Sequence, residues 1–286
     1  MEITTVIPTY IREDGDLQRL DRAIKSVFAQ KDSFVNLVIS DDTKQRHFKE
    51  KLLTQVNAYG RKIHYFEHGN ESNASLNTNF GVTKSKTEIV HILHQDDWIT
   101  NVELYSEATT AISSNEYRWV LSTGVTSGKL NNPKFSPGLV FGFNSIGGPS
   151  ALIIPKDSWI DLRSEFLMLP DVIQFTQLRE KLGDPYITKT PGVEYGTGDH
   201  KMTNRISQSQ ISNDINLLFK ERLVNDIPFL YFLTHSNYWG DYYRELTKTI
   251  ENNPSLPLVV RTKAKFLRLL NRSRTFCIDI KKLLFS

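Results

Sequence analysis

The first hundred residues switch repeatedly between two periodicities, and this constrains the fold more than any other feature of the chain. Ile3-Thr4-Thr5-Val6-Ile7 is a β-branched apolar run that Pro8 closes. Leu17, Leu20, Ile24, Val27 and Phe28 then recur at helical spacing, with Asp14 or Asp16 placed to cap that helix. Val35 to Ser40 reads as a second strand ending in Asp41-Asp42, followed by a Lys-rich helix from Gln45 to Tyr59. Lys62 to Phe66 reads as a third strand and Leu76 to Lys84 as a helix. Ile89 to Leu93 is a fourth apolar strand, running into His94-Gln95-Asp96-Asp97-Trp98. Strands and helices in strict alternation predict a doubly wound α/β sheet, whose ligands lie outside the carboxyl ends of its strands. Two of the four strands end in paired acids.

Past Trp98 the pattern loosens. A helix is expected over Glu103 to Ser113 and a strand over Arg118 to Ser122. Gly124 to Phe143, rich in Gly, Asn and Pro, reads as a long loop. Gly147-Gly148-Pro149-Ser150 leads into the strand Ala151 to Ile154. Phe166 to Gly183 reads as a loop and then a helix with Asp171 near its start, and Tyr186 to Thr188 as a short strand. Gly192 to Ser207 carries glycines, His200 and Arg205, and from Asn213 the chain reads as helical and aromatic. The expected division is a domain over 1–210, in halves 1–100 and 101–210, then a helical extension over 211–286.

Charge separates the same extension. From Arg261 to Ser286 there are 8 Lys+Arg against the single acid Asp279, leaving 27 Lys+Arg and 31 Asp+Glu in the rest. Phe266, Leu269, Leu270, Phe276, Cys277, Ile280, Leu283 and Leu284 share one helical face of this tail. A basic amphipathic helix is suited to an anionic membrane surface, or to docking on the body with its basic face in water. No run approaches the roughly 18 apolar residues of a membrane span, and the N-terminus lacks the pattern of a signal peptide. The one cysteine, Cys277, excludes an internal disulfide and fits a reducing compartment. The expected location is cytoplasmic, with peripheral attachment through the tail.

Adjacent carboxylates at a strand end repel unless a cation lies between them, so Asp96-Asp97 reads as a divalent-metal site or as a helix cap. Asp41-Asp42 and Asp171 carry the same two readings, ligand contact or cap. His200 reads as a ligand or a structural loop histidine, Arg12 as a phosphate contact or a surface charge, and Gly147-Gly148-Pro149 as a close backbone approach or a tight turn.

Taken in order, these motifs resemble the inverting GT-A glycosyltransferases of family 2, over Ile3 to about Ser207. The residues that carry the resemblance are Val6-Ile7-Pro8-Thr9-Tyr10, Ser40-Asp41-Asp42-Thr43, Asn79-Phe80-Gly81, Leu93-His94-Gln95-Asp96-Asp97, Asp171 and His200-Lys201-Met202-Thr203-Asn204. The resemblance implies a Rossmann-like, mostly parallel central sheet flanked by helices, with a helical C-terminal extension. It implies a nucleotide pocket of Pro8, Thr9, Tyr10, Asp41, Asp42, Asn79, His94 and Gln95, with Asp42 on the base. It implies Mn²⁺ or Mg²⁺ held by Asp96, with Asp97, His94 and His200 in support. Asp171 would be the catalytic base, with Glu165 as rival, and Gly147, Gly148, Pro149 and Trp98 would line the sugar sites. One position departs from the pattern: His94 stands where the family has the first acid of its metal motif.

The expected activity is metal-dependent, inverting transfer of a sugar, with a UDP-sugar as the expected donor. The acceptor would be a glycan or lipid-linked hydroxyl in surface polysaccharide synthesis, and no nucleic-acid partner is expected. A nucleotidyltransferase would need a Gly-rich basic loop after the first strand, and Pro8 to Asp16 holds one glycine and one arginine. A glycan- or membrane-binding scaffold that has lost catalysis is the other alternative, and His94 is the feature in its favour.

Overall fold

The computed structural model describes residues 2–31, 34–59, 63–69, 72–135, 145–167 and 169–198, with isolated positions between 207 and 265. Two compact units share the chain. The first takes residues 1–136, 144–164 and 170–201; the second takes 137–143, 165–169 and 202–286.

The first unit is built on a seven-stranded sheet. Its first four strands are β1 (Glu2–Thr9), β2 (Phe34–Asp41), β3 (Ile63–Glu67) and β4 (Ile89–Ile92). Helices α1 (Asp14–Phe28), α2 (Arg46–Ala58) and α3 (Ala74–Lys84) connect them. All four strands run parallel, in the order β3-β2-β1-β4, and their predicted helix–strand alternation is present. The sheet continues through β9 (Leu152–Pro155), β6 (Val120–Leu121) and β10 (Tyr186–Ile187). β9 is antiparallel to both of its neighbours. Helix α4 (Leu104–Ser113) precedes β6, and α5 (Pro170–Leu182) precedes β10. Ile3, Ile7, Leu20, Ile24, Leu37, Ile39, Leu93 and Tyr105 sit together in the core.

Pro8 does not end β1, contrary to the sequence expectation: the strand runs on to Thr9, which pairs with Asp41. The Val6 carbonyl accepts from Leu93 on the β4 side, and the backbone alternates, so Pro8 also faces that side. The paired register with β4 ends at Val6 and Ile92, so Pro8 lies beyond the last paired residue on that side. Neither Asp14 nor Asp16 caps α1. Glu13 is the N-cap residue, but its side chain makes no capping bond and accepts from Arg19 instead. Asp16 instead accepts the Arg12 N–H and an Arg19 guanidinium N–H. Burial pushes its pKa up, but those two hydrogen bonds and the charges of Arg12 and Arg19 together hold the carboxyl below its usual range.

A second, four-stranded sheet was not legible in the sequence. It orders β5 (Trp98–Ile99), β11 (Val193–Tyr195), β7 (Gly124–Thr126) and β8 (Lys129–Asn131). The β7–β8 hairpin occupies part of the segment expected to be a loop. These strands are two or three residues long, too short for alternation to stand out from noise. Antiparallel pairing of β11 with β5 brings the 193–196 segment against the residues after β4.

In the second unit the Asp214 carboxylate accepts the Leu167 N–H, at 3.0 and 3.1 Å to its two oxygens. His200, and nearly all of the helical extension over 211–286 with its basic tail, lie outside the described residues. Among the described residues no helix is long and apolar enough to cross a membrane.

Candidate active site

The site lies at the carboxyl ends of β1, β2 and β4. The loop after β4 holds His94, Asp96 and Asp97 so that one ligand atom from each falls within 4.8 Å of the others. Three supports fix this loop. Gly196 donates its N–H to Asp97 Oδ1 at 2.8 Å, and Ser150 donates its hydroxyl to Asp97 Oδ2 at 2.6 Å. The same Ser150 hydroxyl accepts the His94 N–H at 2.9 Å. Gly196 must be glycine on steric grounds, because a Cβ there would strike the Asp96 carbonyl. Arg22 on α1 stacks 3.4 Å from the centre of the Trp98 ring and donates to the Asp96 carbonyl at 3.2 Å. Burial pushes the Arg22 pKa down, against the opposing charges of Glu194, Asp96 and Asp97.

Behind Ser150 runs a buried polar chain. His91, fully enclosed on β4, lies 2.9 Å by Nε2 from the Ser150 carbonyl and 2.8 Å by Nδ1 from the Tyr105 hydroxyl. A carbonyl only accepts, so Nε2 carries the proton and Nδ1 accepts from Tyr105. The Tyr105 oxygen then takes its hydrogen bond from Thr5. Burial pushes the His91 pKa down to about 4, so the ring is neutral.

Asp171 stands in the first turn of α5. Its Oδ1 accepts the adjacent Val172 N–H at 2.9 Å, and because the helix begins at Pro170 it lies within the first turn and not at the N-cap. Burial lifts its pKa to about 6, although the nearby His94 charge acts to lower it. The side chain is nevertheless part exposed. A carboxyl that is deep-set, electrostatically coupled to the metal-motif histidine and poised near neutral pH suits a general base.

The nucleotide-side residues meet around the Thr9–Tyr10 turn. Gln95 pins that turn at both backbone groups, accepting the Tyr10 N–H at 2.7 Å and donating to its carbonyl at 3.1 Å. The Thr9 carbonyl accepts the Asp42 N–H at 2.9 Å and the Asn77 amide at 3.3 Å. Asp41 is enclosed, with one oxygen accepting the Thr43 N–H at 2.8 Å and the other the Tyr65 hydroxyl. It shapes the loop from within. Asp42 pairs through Oδ1 with His68 Nδ1 at 2.9 Å. Tyr10 is exposed at the rim. Asn79 is directed elsewhere: both ends of its amide bond the Leu162 backbone, at 2.8 and 2.9 Å. The Gly147-Gly148 turn and Pro149 come next to Tyr195 and lead into Ser150.

The structure therefore gathers His94, Asp96, Asp97 and Asp171 in one area and Thr9, Tyr10, Asp42 and Gln95 in another beside it. Arg22, His91, Ser150, Tyr195 and Gly196 were missed in the sequence. Only Ser150, closing a Gly-Gly-Pro turn, and Gly196, in a glycine-bearing segment, left any signal there.

A family model described as Glycosyl transferase family 2 matches residues 4–135. No curated protein matches the sequence. Among solved structures, S. aureus TarS 1–349 in complex with UDP-GlcNAc superposes with a TM-score of 0.64 at 11% identity, covering 95% of this chain and 89% of that one. The TarS 1–349 complex with UDP gives 0.57 at 13% identity, again with 95% and 89% covered. Against the structure of S. aureus TarS the TM-score is 0.55 at 12% identity, and this chain spans 44% of that chain's length. The likeness is one of fold.

Proposed function

We propose that this chain, whose residues 4–135 match the glycosyl transferase family 2 model, is a glycosyltransferase that carries out metal-assisted, inverting transfer from a UDP-sugar to a glycan or lipid-linked hydroxyl. The observation that carries the proposal is the coupling of Asp171 to His94 beside Asp96. It would put a base with a pKa of about 6 near a group of candidate metal ligands.

The donor set fits a divalent ion. Asp96 offers a carboxylate, and His94 an imidazole that suits Mn²⁺ better than Mg²⁺. Both oxygens of Asp97 already accept hydrogen bonds, so its main work is to hold the motif in shape. The ion, when bound, would neutralise the charge that builds on the departing diphosphate. On the base side, Asp42 would accept the imide N–H of uracil while His68 holds its other oxygen, and the Tyr10 turn would border the nucleoside. The TarS 1–349 complexes with UDP-GlcNAc and UDP support a UDP-type donor. Asp171 would take the proton from the acceptor hydroxyl as its oxygen attacks the anomeric carbon from the face opposite the diphosphate. That in-line path inverts the configuration. Gly147, Gly148, Pro149 and Trp98 would border the sugars.

A cytoplasmic, membrane-surface location through residues 261–286 belongs to the same proposal, and rests on the charge and apolar pattern of the tail. Cosedimentation with anionic but not neutral vesicles would support it, and equal partitioning to both would end it.

The decisive experiment is a thermal-shift series of UDP, UDP-sugars, ATP and GTP with and without Mn²⁺, followed by donor turnover in wild type and Asp96→Ala. Mn²⁺-dependent stabilisation by the uridine nucleotides, with turnover lost in Asp96→Ala, is the expected result. No nucleotide effect at all would overturn the reading.

A further inference from the structure

Tyr195 ends β11 in a slot walled by glycines. A Cβ at Gly124 would strike its ring and one at Gly147 its hydroxyl, while one at Gly148 would come within 3.4 Å of the ring. Gly147 also has a φ of +113°, a conformation that side-chain-bearing residues rarely adopt. The tyrosine is only 8% exposed, and its hydroxyl makes no hydrogen bond among the described residues. The Gly148 N–H is its near polar neighbour without reaching hydrogen-bond geometry. The charges of Asp97 and, more weakly, Asp171 reach the same oxygen.

Phenylalanine would fill this slot equally well. It would also avoid stranding a buried hydroxyl, which destabilises a fold. The hydroxyl is therefore of no use to packing, and among the described residues the Gly147–Gly148 turn lies against it. Two residues after Gly148 the chain is anchored, because Ser150 is tied to Asp97 and His94. The turn can settle onto Tyr195 while its far end stays fixed to the metal motif.

We propose that Tyr195 is a positioning residue for donor binding: as the nucleotide-sugar seats beside Asp96, the Gly148 N–H closes onto the Tyr195 hydroxyl oxygen and fixes the Gly147–Gly148 turn against the sugar. This rests on the sugar-transfer reading above. It assigns the tyrosine to binding energy that appears only with the donor in place.

The test is Tyr195→Phe, compared with wild type and Asp171→Asn. Melting would be followed with and without UDP-GlcNAc and Mn²⁺, as a representative UDP-sugar, and donor KM, acceptor KM and the pH profile would be measured. The ligand-free Tm of Tyr195→Phe should equal or exceed that of wild type. Its donor KM should rise about three- to tenfold, the worth of one neutral hydrogen bond. Acceptor KM and the acid limb of the profile should not move. An unchanged donor KM, or a lower ligand-free Tm, overturns the proposal. If Asp171→Asn abolishes turnover while Tyr195→Phe matches wild type, the Tyr195 proposal fails and the sugar-transfer reading stands. If wild type binds no UDP-sugar, both fail.

Discussion

The Ser150 hydroxyl donates to Asp97 at 2.6 Å and accepts the His94 N–H at 2.9 Å, so one side chain joins two of the three candidate metal-motif residues. Its own carbonyl is held by His91 from inside the sheet. Ser150→Ala would leave a carboxylate oxygen and a backbone N–H short of a partner in a buried place. The expected loss is about 1–3 kcal/mol of stability, read by denaturant melts. The Mn²⁺ concentration for half-maximal turnover should rise several-fold. Wild-type metal dependence in Ser150→Ala would show that Asp97 needs no such anchor.

Gly196→Ala tests the other support. The new Cβ would meet the Asp96 carbonyl, which is backbone and cannot swing aside. The cost should be about 1–3 kcal/mol, and the motif should bind metal more weakly than in Ser150→Ala, because the displacement falls on Asp96 itself. A Gly196→Ala protein with unaltered melting would contradict the close approach.

For Asp171 the sign of the pH effect can be worked out. Its folded-state pKa of about 6 lies above the ordinary value of 3.8, so the folded protein holds the extra proton between those values. Stability from this group is therefore gained as pH falls from 6 towards 4 and lost as pH rises through 6. Activity runs the other way, because the base works only when ionised. Turnover should fall on an acid limb near pH 6. Asp171→Asn should lower turnover by about 10²–10⁴-fold, yet raise Tm at pH 7, by a free energy on the order of 1–2 kcal/mol after allowance for its partial exposure. A variant that is both inactive and less stable would point to a structural role.

His91 has the opposite sign. Its folded-state pKa of about 4 lies below the ordinary 6.5, so the stability of the neutral buried ring is present above 6.5 and lost as pH falls towards 4. The full effect is on the order of 3 kcal/mol. Wild type should thus show a shallow stability profile between pH 6.5 and 4, with the two groups offsetting one another. Asp171→Asn removes one of them and should make that profile distinctly steeper, as urea melts across the range would show. Parallel profiles would mean that one of the two groups titrates elsewhere.

His94→Asp exchanges an imidazole for a harder oxygen ligand. If His94 touches the ion, turnover with Mg²⁺ should rise relative to Mn²⁺ by several-fold. Equal ratios in both proteins would place His94 off the metal, leaving it a neighbour of Asp171.

The alternation of apolar runs and helical periods determined the parallel half of the sheet by itself, because long elements repeat their period often enough to be read. The same strands led to His94, Asp96, Asp97, Asp41 and Asp42, since acids that follow a buried run must emerge at its end. Sequence also led to Asp171, through the resemblance. Which carboxylates are spent on the fold and which face outwards was decided only in three dimensions. Asp41 and Asp97 have both oxygens taken by partners 24 to 99 residues distant, apart from the local Thr43 bond. Asn79 looks like a site residue in its motif but closes on Leu162, 83 residues on. The second sheet stayed hidden for a related reason. Its strands have too few residues to show a period, and they exist because β11 finds β5 and β7, a pairing that depends on tertiary approach and leaves no local trace.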